Sequence, residues 1–251
     1  ELGIFGNPLI LKIGESVLNK MIRQSDITLS ISKVLADSIK IKNKVQVLPN
    51  GVIFDGASED CGKKIKEKYK KPIIGFIGSF EYFIDFELIL KAACRLPEFT
   101  FLLVGSGRDY RAVENTIREK GLQNVILTGG VPHDEVIEYI DAMDICLNIF
   151  KKIPISHGAC PIKLFEYLSR KKPVISTRLN EIKNVDEGFL FYADNEEELE
   201  KTINYILTNQ PVATEYSKKG QNVVIAKYQW PMIAQKLLDL INESTKMKGL
   251  R

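Results

Sequence analysis

The 251 residues contain only two histidines, His133 and His157, and four cysteines, none of them in a CxxC pair. Zinc centres need clustered Cys and His ligands at short spacings, so a metal site built from soft ligands is excluded. An Asp-x-Asp pair for a hard cation is missing too, since Asp141 and Asp144 stand three apart and read as helix-end residues. No metal and no cofactor are expected. The scattered cysteines (61, 94, 146 and 160) point to reduced thiols and a cytoplasmic protein. No apolar run approaches the ~20 residues of a membrane-spanning helix. The opening "ELGIFGNPLILKIGES" lacks the basic flank and small-residue cleavage site of a signal peptide. It also lacks an initiator methionine, so the chain is expected to be a piece of a longer protein. With 35 basic against 32 acidic residues, the net charge of +3 is too balanced to argue for nucleic acid. The one basic run, "KKIKEKYKK" at 63–71, reads as a solvated linker or helix face rather than a membrane-surface patch.

What is present is the composition of a globular protein, 45% hydrophobic and 27% charged. Strand and helix signals alternate along the whole chain. "DITLSIS" (26–32) reads as a strand and runs into a helix-like "SKVLADSIK", and "KVQVLPNG" (44–51) is a strand ending in a turn. A charged, apolar-poor stretch from Asp55 to Lys71 is the candidate domain boundary. Beyond it, strands are expected at 72–78, 99–105, 124–130, 144–150, "PVIST" (173–177) and "GFLFYA" (188–193). Helices are expected at 85–96, 108–120, 133–142, from 161, and near 195–208, 214–226 and 231–246. Apolar strands separated by helix-length segments predict an α/β fold, a doubly wound parallel sheet covered on both faces. Its ligand should lie at the carboxyl ends of the strands.

Three strands end in glycine-rich corners, "GSF" (78–80), "GSGR" (105–108) and "GGVPH" (129–133), each compatible with a tight turn alone. "VGSGRDY" is not a dinucleotide fingerprint, because Tyr110 and Arg111 stand where the third glycine belongs. The fourth corner, "CPIKLFEYLSRKKPVIST" (160–177), is more informative. Pro161 suits the first helical position, and Leu164, Phe165 and Leu168 form an apolar stripe. "RKK" supplies cations for the negative end of that helix. At its start the N–H groups of Ile162, Lys163 and Leu164 should lack intrahelical acceptors and form an anion site, with Lys163 adding charge. Glu166, one turn further on, can only accept hydrogen bonds. A carboxylate beside a phosphate makes sense as the acceptor for a neighbouring sugar diol.

"PIKLFEYLSRKKPVIST" closely resembles the signature of GT-B-fold, nucleotide-sugar-dependent glycosyltransferases, and in particular the large retaining family that includes bacterial polysaccharide and teichuronic-acid transferases. Further segments match in order over roughly 25–240. By this resemblance residues 1–56 are the end of an acceptor-side domain, 57–229 a Rossmann-like donor-binding domain, and 230–251 a helix crossing back to the N-terminal side. Glu166 would accept from the ribose hydroxyls, the backbone at Ile162, Lys163 and Leu164 would hold the diphosphate, Gly78 and Ser79 would lie beneath it, and Val131 would line the base.

The resemblance also has gaps. Gly158 stands where the family's first acid is expected, Ser79 where it has an arginine, and Ile84 near where it has a lysine. The diphosphate charge then falls to Lys163, Arg108 and the helix N–H groups. His157 is the candidate to reach the donor sugar or phosphate, with an exposed loop histidine as the alternative, and His133 reads as a helix-start residue. The implied activity is metal-independent transfer, with retention, from a UDP- or GDP-sugar to a glycan or lipid-linked acceptor, in the cytoplasm or peripherally on the inner face of the cell membrane. Alternatives are a noncatalytic nucleotide-sugar-binding subunit that needs a separate acceptor-domain chain, and a sugar-nucleotide epimerase of the same fold.

Overall fold

The structure is a computed structural model that describes residues 8–41, 45–54, 56 and 61–249. It contains two parallel sheets. The smaller is a βαβ unit in which β1 (Thr28–Ser30) pairs with β2 (Val45–Val47) across α2 (Lys33–Ser38). Ahead of it runs α1 (Pro8–Gln24), a helix the sequence reading omitted. Leu9, Ile13, Val17 and Met21 recur every four residues and hold the period that would have found it.

The larger sheet has six strands, all parallel. They are β3 (Ile73–Ile77), β4 (Thr100–Val104), β5 (Val125–Gly129), β6 (Ile145–Asn148), β7 (Val174–Ser176) and β8 (Phe191–Tyr192). Their order is β5-β4-β3-β6-β7-β8. Every residue of β3, β4, β6 and β7 is buried, which requires helices on both faces of the sheet. The connecting helices are α4 (Phe86–Arg95), α5 (Tyr110–Lys120), α6 (Val136–Ala142) and α8 (Ile162–Ser169), followed by α10 (Glu196–Thr208) and α11 (Gln210–Lys227). Two further helices were not expected from the sequence, α7 (Pro154–His157) and α9 (Asn180–Val185). Both are too short to show a helical period. No described helix is long and apolar enough to cross a membrane.

The expected boundary at Asp55–Lys71 is only partly a linker. Residues 55 and 57–60 lie outside the described residues, but Lys63–Lys68 form α3, which packs on α6. Ile65 and Tyr69 of the basic run lean on the core, and Lys66 pairs with Asp144 at 2.6 Å. Asp144 also accepts from the Ile73 N–H, so it ties α3 to the start of β3. The last helix, α12 (Trp230–Gly249), begins against the turn after β2. Trp230 N–H donates to the Val52 carbonyl, and Lys236 Nζ donates to the Val47 carbonyl at 3.0 Å.

The smaller sheet is also bolted to the larger through Glu181. Its two carboxylate oxygens accept from the backbone N–H groups of Lys33 (3.1 Å) and Val34 (2.9 Å), at the start of α2. Ser32 Oγ accepts from Leu35 N–H in the same turn. A side chain on α9 thus supplies acceptors that the first turn of α2 cannot find within itself.

Candidate active site

Sheet order reverses between β3 and β6, where the chain winds outward in opposite directions from two adjacent strands. A ligand crevice belongs outside the carboxyl ends of such a pair. The β3–β6 ladder covers only Ile74↔Ile145 and Gly75↔Cys146, after which the strands separate. Above the split lies a cleft of about 600 Å³, lined by Ile77, Gly78, Ser79, His133, Val136, Phe150, Lys163 and Glu166 among others. Ile31 and Asn50 reach it from the smaller sheet and the turn beyond it, and Asn50 Nδ2 donates to the Cys160 carbonyl at 2.7 Å.

Helix α8 is fixed over the split by its own tyrosine. Tyr167 Oη accepts from Ile77 N–H at 2.8 Å and donates to the Ile77 carbonyl at 3.3 Å. The hydroxyl satisfies the edge that β3 leaves open where β6 departs. Phe165 stacks on Tyr228 from the other side, with ring centres 4.4 Å apart. At the far end, Arg170 ion-pairs with Asp141, and Lys172 donates to the carbonyls of Asp141 and Met143. Arg170 and Lys172 of the "RKK" run therefore bind the end of α6, not the end of the helix that carries them.

The helix start differs from expectation in two details. Pro161 is the N-cap, with φ −75° and ψ 127°, and Ile162 is the first helical residue. The Leu164 N–H is not free, because it donates to the Pro161 carbonyl at 3.1 Å, and the Leu164 side chain is core. That leaves the N–H groups of Ile162 and Lys163 as the donors facing out of the helix start.

Lys163 is half-buried. Its Nζ lies 4.0 Å from the centre of the Phe76 ring and 5.7 Å from that of Phe150. A Cβ added to Gly78 would sit 2.8 Å from this amine, so the glycine, with φ +137°, leaves the space Lys163 uses. Burial lowers the amine pKa to about 7, while Glu166 pulls it upward. Glu166 is half-buried on the same helix, and burial raises its pKa against the opposing charges of His133 and Lys163. Neither side chain has a hydrogen-bond or ion-pair partner among the described residues. An anion donor set and an acceptor-only carboxylate therefore share one cleft.

A family model described as "Glycosyl transferases group 1" matches residues 71–209, more than half of the chain. The chain belongs to this glycosyltransferase family. TuaH of Bacillus subtilis, named as a teichuronic acid biosynthesis glycosyltransferase, is 31% identical over 155 residues, 60% of this chain and 38% of its own. A 2-deoxystreptamine glucosyltransferase of Streptomyces kanamyceticus is 27% identical over 56% of this chain and 40% of its own. The chain thus spans about half or less of such relatives. Among solved structures, Anabaena Alr3699/HepE in complex with UDP-glucose superposes with a TM-score of 0.82 at 16% identity, covering 94% of this chain and 68% of that one. Sucrose-phosphate synthase from Thermosynechococcus elongatus gives 0.80 at 19%, covering 94% and 62%. The fold is GT-B, as the signature at 161–177 implied.

In this group 1 chain the cleft gathers Gly78, Ser79, Ile162, Lys163 and Glu166, as expected, and leaves others out. Ser79 is exposed at the rim. Val131 packs against the core and does not line the cleft, and the 129–133 corner reaches it through His133 instead. His157 is not a cleft residue either. Its Nδ1 accepts from the Asn180 N–H at 3.4 Å, at the start of α9. Arg108 lies over the Tyr82 ring at 5.1 Å, outside the cleft lining. Ile84 is core, bridged to Phe150. Gly158, where the first acid was expected, is backed by Leu35 of α2, and an added Cβ would meet Leu35 Cδ2 at 2.8 Å. Sequence reasoning missed Tyr167, the two rings around Lys163, and the cleft position of His133. Only the last carried a signal, as a histidine in a corner already singled out.

Proposed function

We propose that this chain is the donor-binding part of a glycosyltransferase that moves a sugar from a UDP- or GDP-sugar to a glycan or lipid-linked acceptor. Residues 57–229 serve as the donor domain, 1–56 as the end of the acceptor-side domain, and 230–251 as the helix returning to it. One observation carries the reading. The start of α8 presents two unpaired N–H groups, Lys163 and the Glu166 carboxylate to one cleft at the point where strand order reverses. The N–H groups and Lys163 suit a diphosphate, and Glu166, with no donor among the described residues, suits the ribose hydroxyls. UDP-glucose bound to the Anabaena neighbour supports the same ligand class.

In this scheme the diphosphate is the leaving group. Fixed donors at the helix start meet the negative charge that grows on it as the glycosidic bond breaks, and they do so without reorganising. The chemistry we propose needs no metal, and it proceeds with retention as the family resemblance implies. Relatives named for teichuronic acid and O-antigen assembly favour a polymer or lipid-linked acceptor, reached from the inner face of a membrane.

Calorimetric titration with UDP, GDP, ADP and NAD, repeated on Glu166→Ala, tests the reading. A hydrogen bond to a carboxylate is worth ~1.5–3 kcal/mol, so the variant should bind its nucleotide roughly ten- to a hundredfold more weakly. Binding of NAD alone, or of nothing, overturns the reading. Equal binding by variant and parent removes the role given to Glu166.

A further inference from the structure

We infer that donor binding in this cleft is coupled to proton uptake by Lys163, whose amine rests on the Phe76 ring beside Gly78 and becomes the fixed cation of the diphosphate only when the ligand arrives. The inference rests on the nucleotide-sugar reading of the cleft and adds a pH-linked mode of recognition to it.

Geometry carries the argument first. Lys163 is the one lysine or arginine among the described residues that line the cleft. Other half-buried lysines find oxygen partners, as Lys66 does on Asp144 at 2.6 Å and Lys172 on the carbonyls of Asp141 and Met143. Lys163 has no carboxylate within ion-pair distance among the described residues. Its surroundings are two ring faces and the open side of a glycine. Ring faces hold an ammonium only weakly compared with an anion, so this amine is sheltered without being neutralised.

The charged groups facing it are few. Its own helix brings Glu166, one turn on, and the 133–135 turn brings His133. β3 and its corner bring Phe76, Gly78 and Ser79, and the segment after β6 brings Phe150. The smaller sheet and its following turn bring Ile31 and Asn50. None of these last residues is charged. Burial accordingly lowers the free amine to about 7, with Glu166 pulling it back. A diphosphate set against the same amine favours its charged form and raises that value. The sign follows: affinity is fully developed below the free value and falls as pH rises through it, until the bound value is reached.

The probe is UDP-glucose, whose diphosphate is esterified at both ends and does not itself titrate between pH 6 and 9. Calorimetry at each pH in two buffers of different ionisation enthalpy reads the protons taken up. The expected uptake is about 0.5 proton per UDP-glucose at pH 7 and close to one at pH 8, with affinity falling roughly tenfold per pH unit above that. Lys163→Arg keeps a permanent cation and should bind with no uptake at pH 8 and a flat profile. His133→Gln should leave the uptake at pH 8 unchanged. Circular dichroism establishes that both variants fold. UDP-glucose binding by the parent with no uptake and no pH dependence overturns the inference while keeping the nucleotide-sugar reading. Uptake that survives Lys163→Arg but vanishes in His133→Gln overturns it in favour of the histidine. No binding of UDP-glucose, UDP or GDP overturns both.

Discussion

Tyr167 and Ile77 exchange two hydrogen bonds, one in each direction, between a helix side chain and the end of a strand. The backbone of Ile77 would otherwise face an opening where β6 has left the ladder, and Tyr167 is wholly buried there. The same hydroxyl therefore satisfies β3 and sets the height of α8 above Gly78. Tyr167→Phe leaves a buried N–H without an acceptor, which should destabilise the fold by ~1–3 kcal/mol. Thermal unfolding should shift down by several degrees, and nucleotide affinity should fall alongside it. Unchanged Tm would mean that water or a neighbour takes over the hydroxyl's place.

Glu166 should show a conflict between stability and binding. Burial raises its folded-state pKa above the ordinary carboxylate value of ~4.3, so its ionised form is disfavoured in the folded protein. The sign is that of a destabilising charge. The penalty is absent below the unfolded value, grows as pH rises through the folded value, and is complete at neutrality. Glu166→Gln should thus raise Tm at pH 7 and leave it unchanged near pH 4, while weakening the nucleotide. Denaturation of both proteins at the two pH values checks the first part, and titration with UDP the second. A Gln variant less stable than the parent at pH 7 would show that the carboxylate has a structural partner.

Glu181 holds the first turn of α2 by two backbone hydrogen bonds at once. Loss of a helix cap costs ~0.5–2 kcal/mol, and Glu181→Ala removes a cap supplied across two sheets. Hydrogen exchange should therefore quicken at Lys33, Val34 and Leu35 well before it does in β3 or β4. If protection falls evenly over the whole chain instead, the two sheets unfold as one unit and Glu181 is not a local bolt.

Much of this architecture was legible because it is written in local patterns. The apolar runs at 72–78 and 99–105 could only be buried strands, and Pro161 followed by Leu164, Phe165 and Leu168 could only be a helix with one core face. Glu166 stood out because an acceptor-only side chain beside an anion site needs a sugar to explain it. What escaped depends on partners distant in sequence. The rings of Phe76 and Phe150 meet Lys163 only after the sheet has formed, and Tyr167 meets Ile77 only because β6 diverges. Arg170 and Lys172 looked like caps for their own helix, yet the fold brings the end of α6 closer. Val131 and Leu164 were placed correctly along the chain. The Val131 side chain packs against the core, because an apolar residue at a corner gains more from burial than from lining a polar cleft, and the Leu164 N–H, expected to be free, donates to the Pro161 carbonyl.

Gly158 offers the sharpest test of how the smaller sheet shapes the cleft. It is buried, and the first atom of any side chain there would meet Leu35 Cδ2 at 2.8 Å and Cγ at 2.9 Å. Leu35 lies on α2, the helix held by Glu181, and its side chain, 41% exposed, has to turn outward to make room. Overpacking typically costs ~1–3 kcal/mol, and Gly158→Ala should destabilise by about the lower end of that range because Leu35 can turn toward solvent. Leu35→Ala should relieve it. In a double-mutant cycle the two changes should therefore be non-additive by ~0.5 kcal/mol or more, with the double variant more stable than the sum predicts. Additive losses would mean that the loop at 158 shifts away by itself. Coupling would instead explain why no acid stands at 158: α2 already fills the volume its side chain would need.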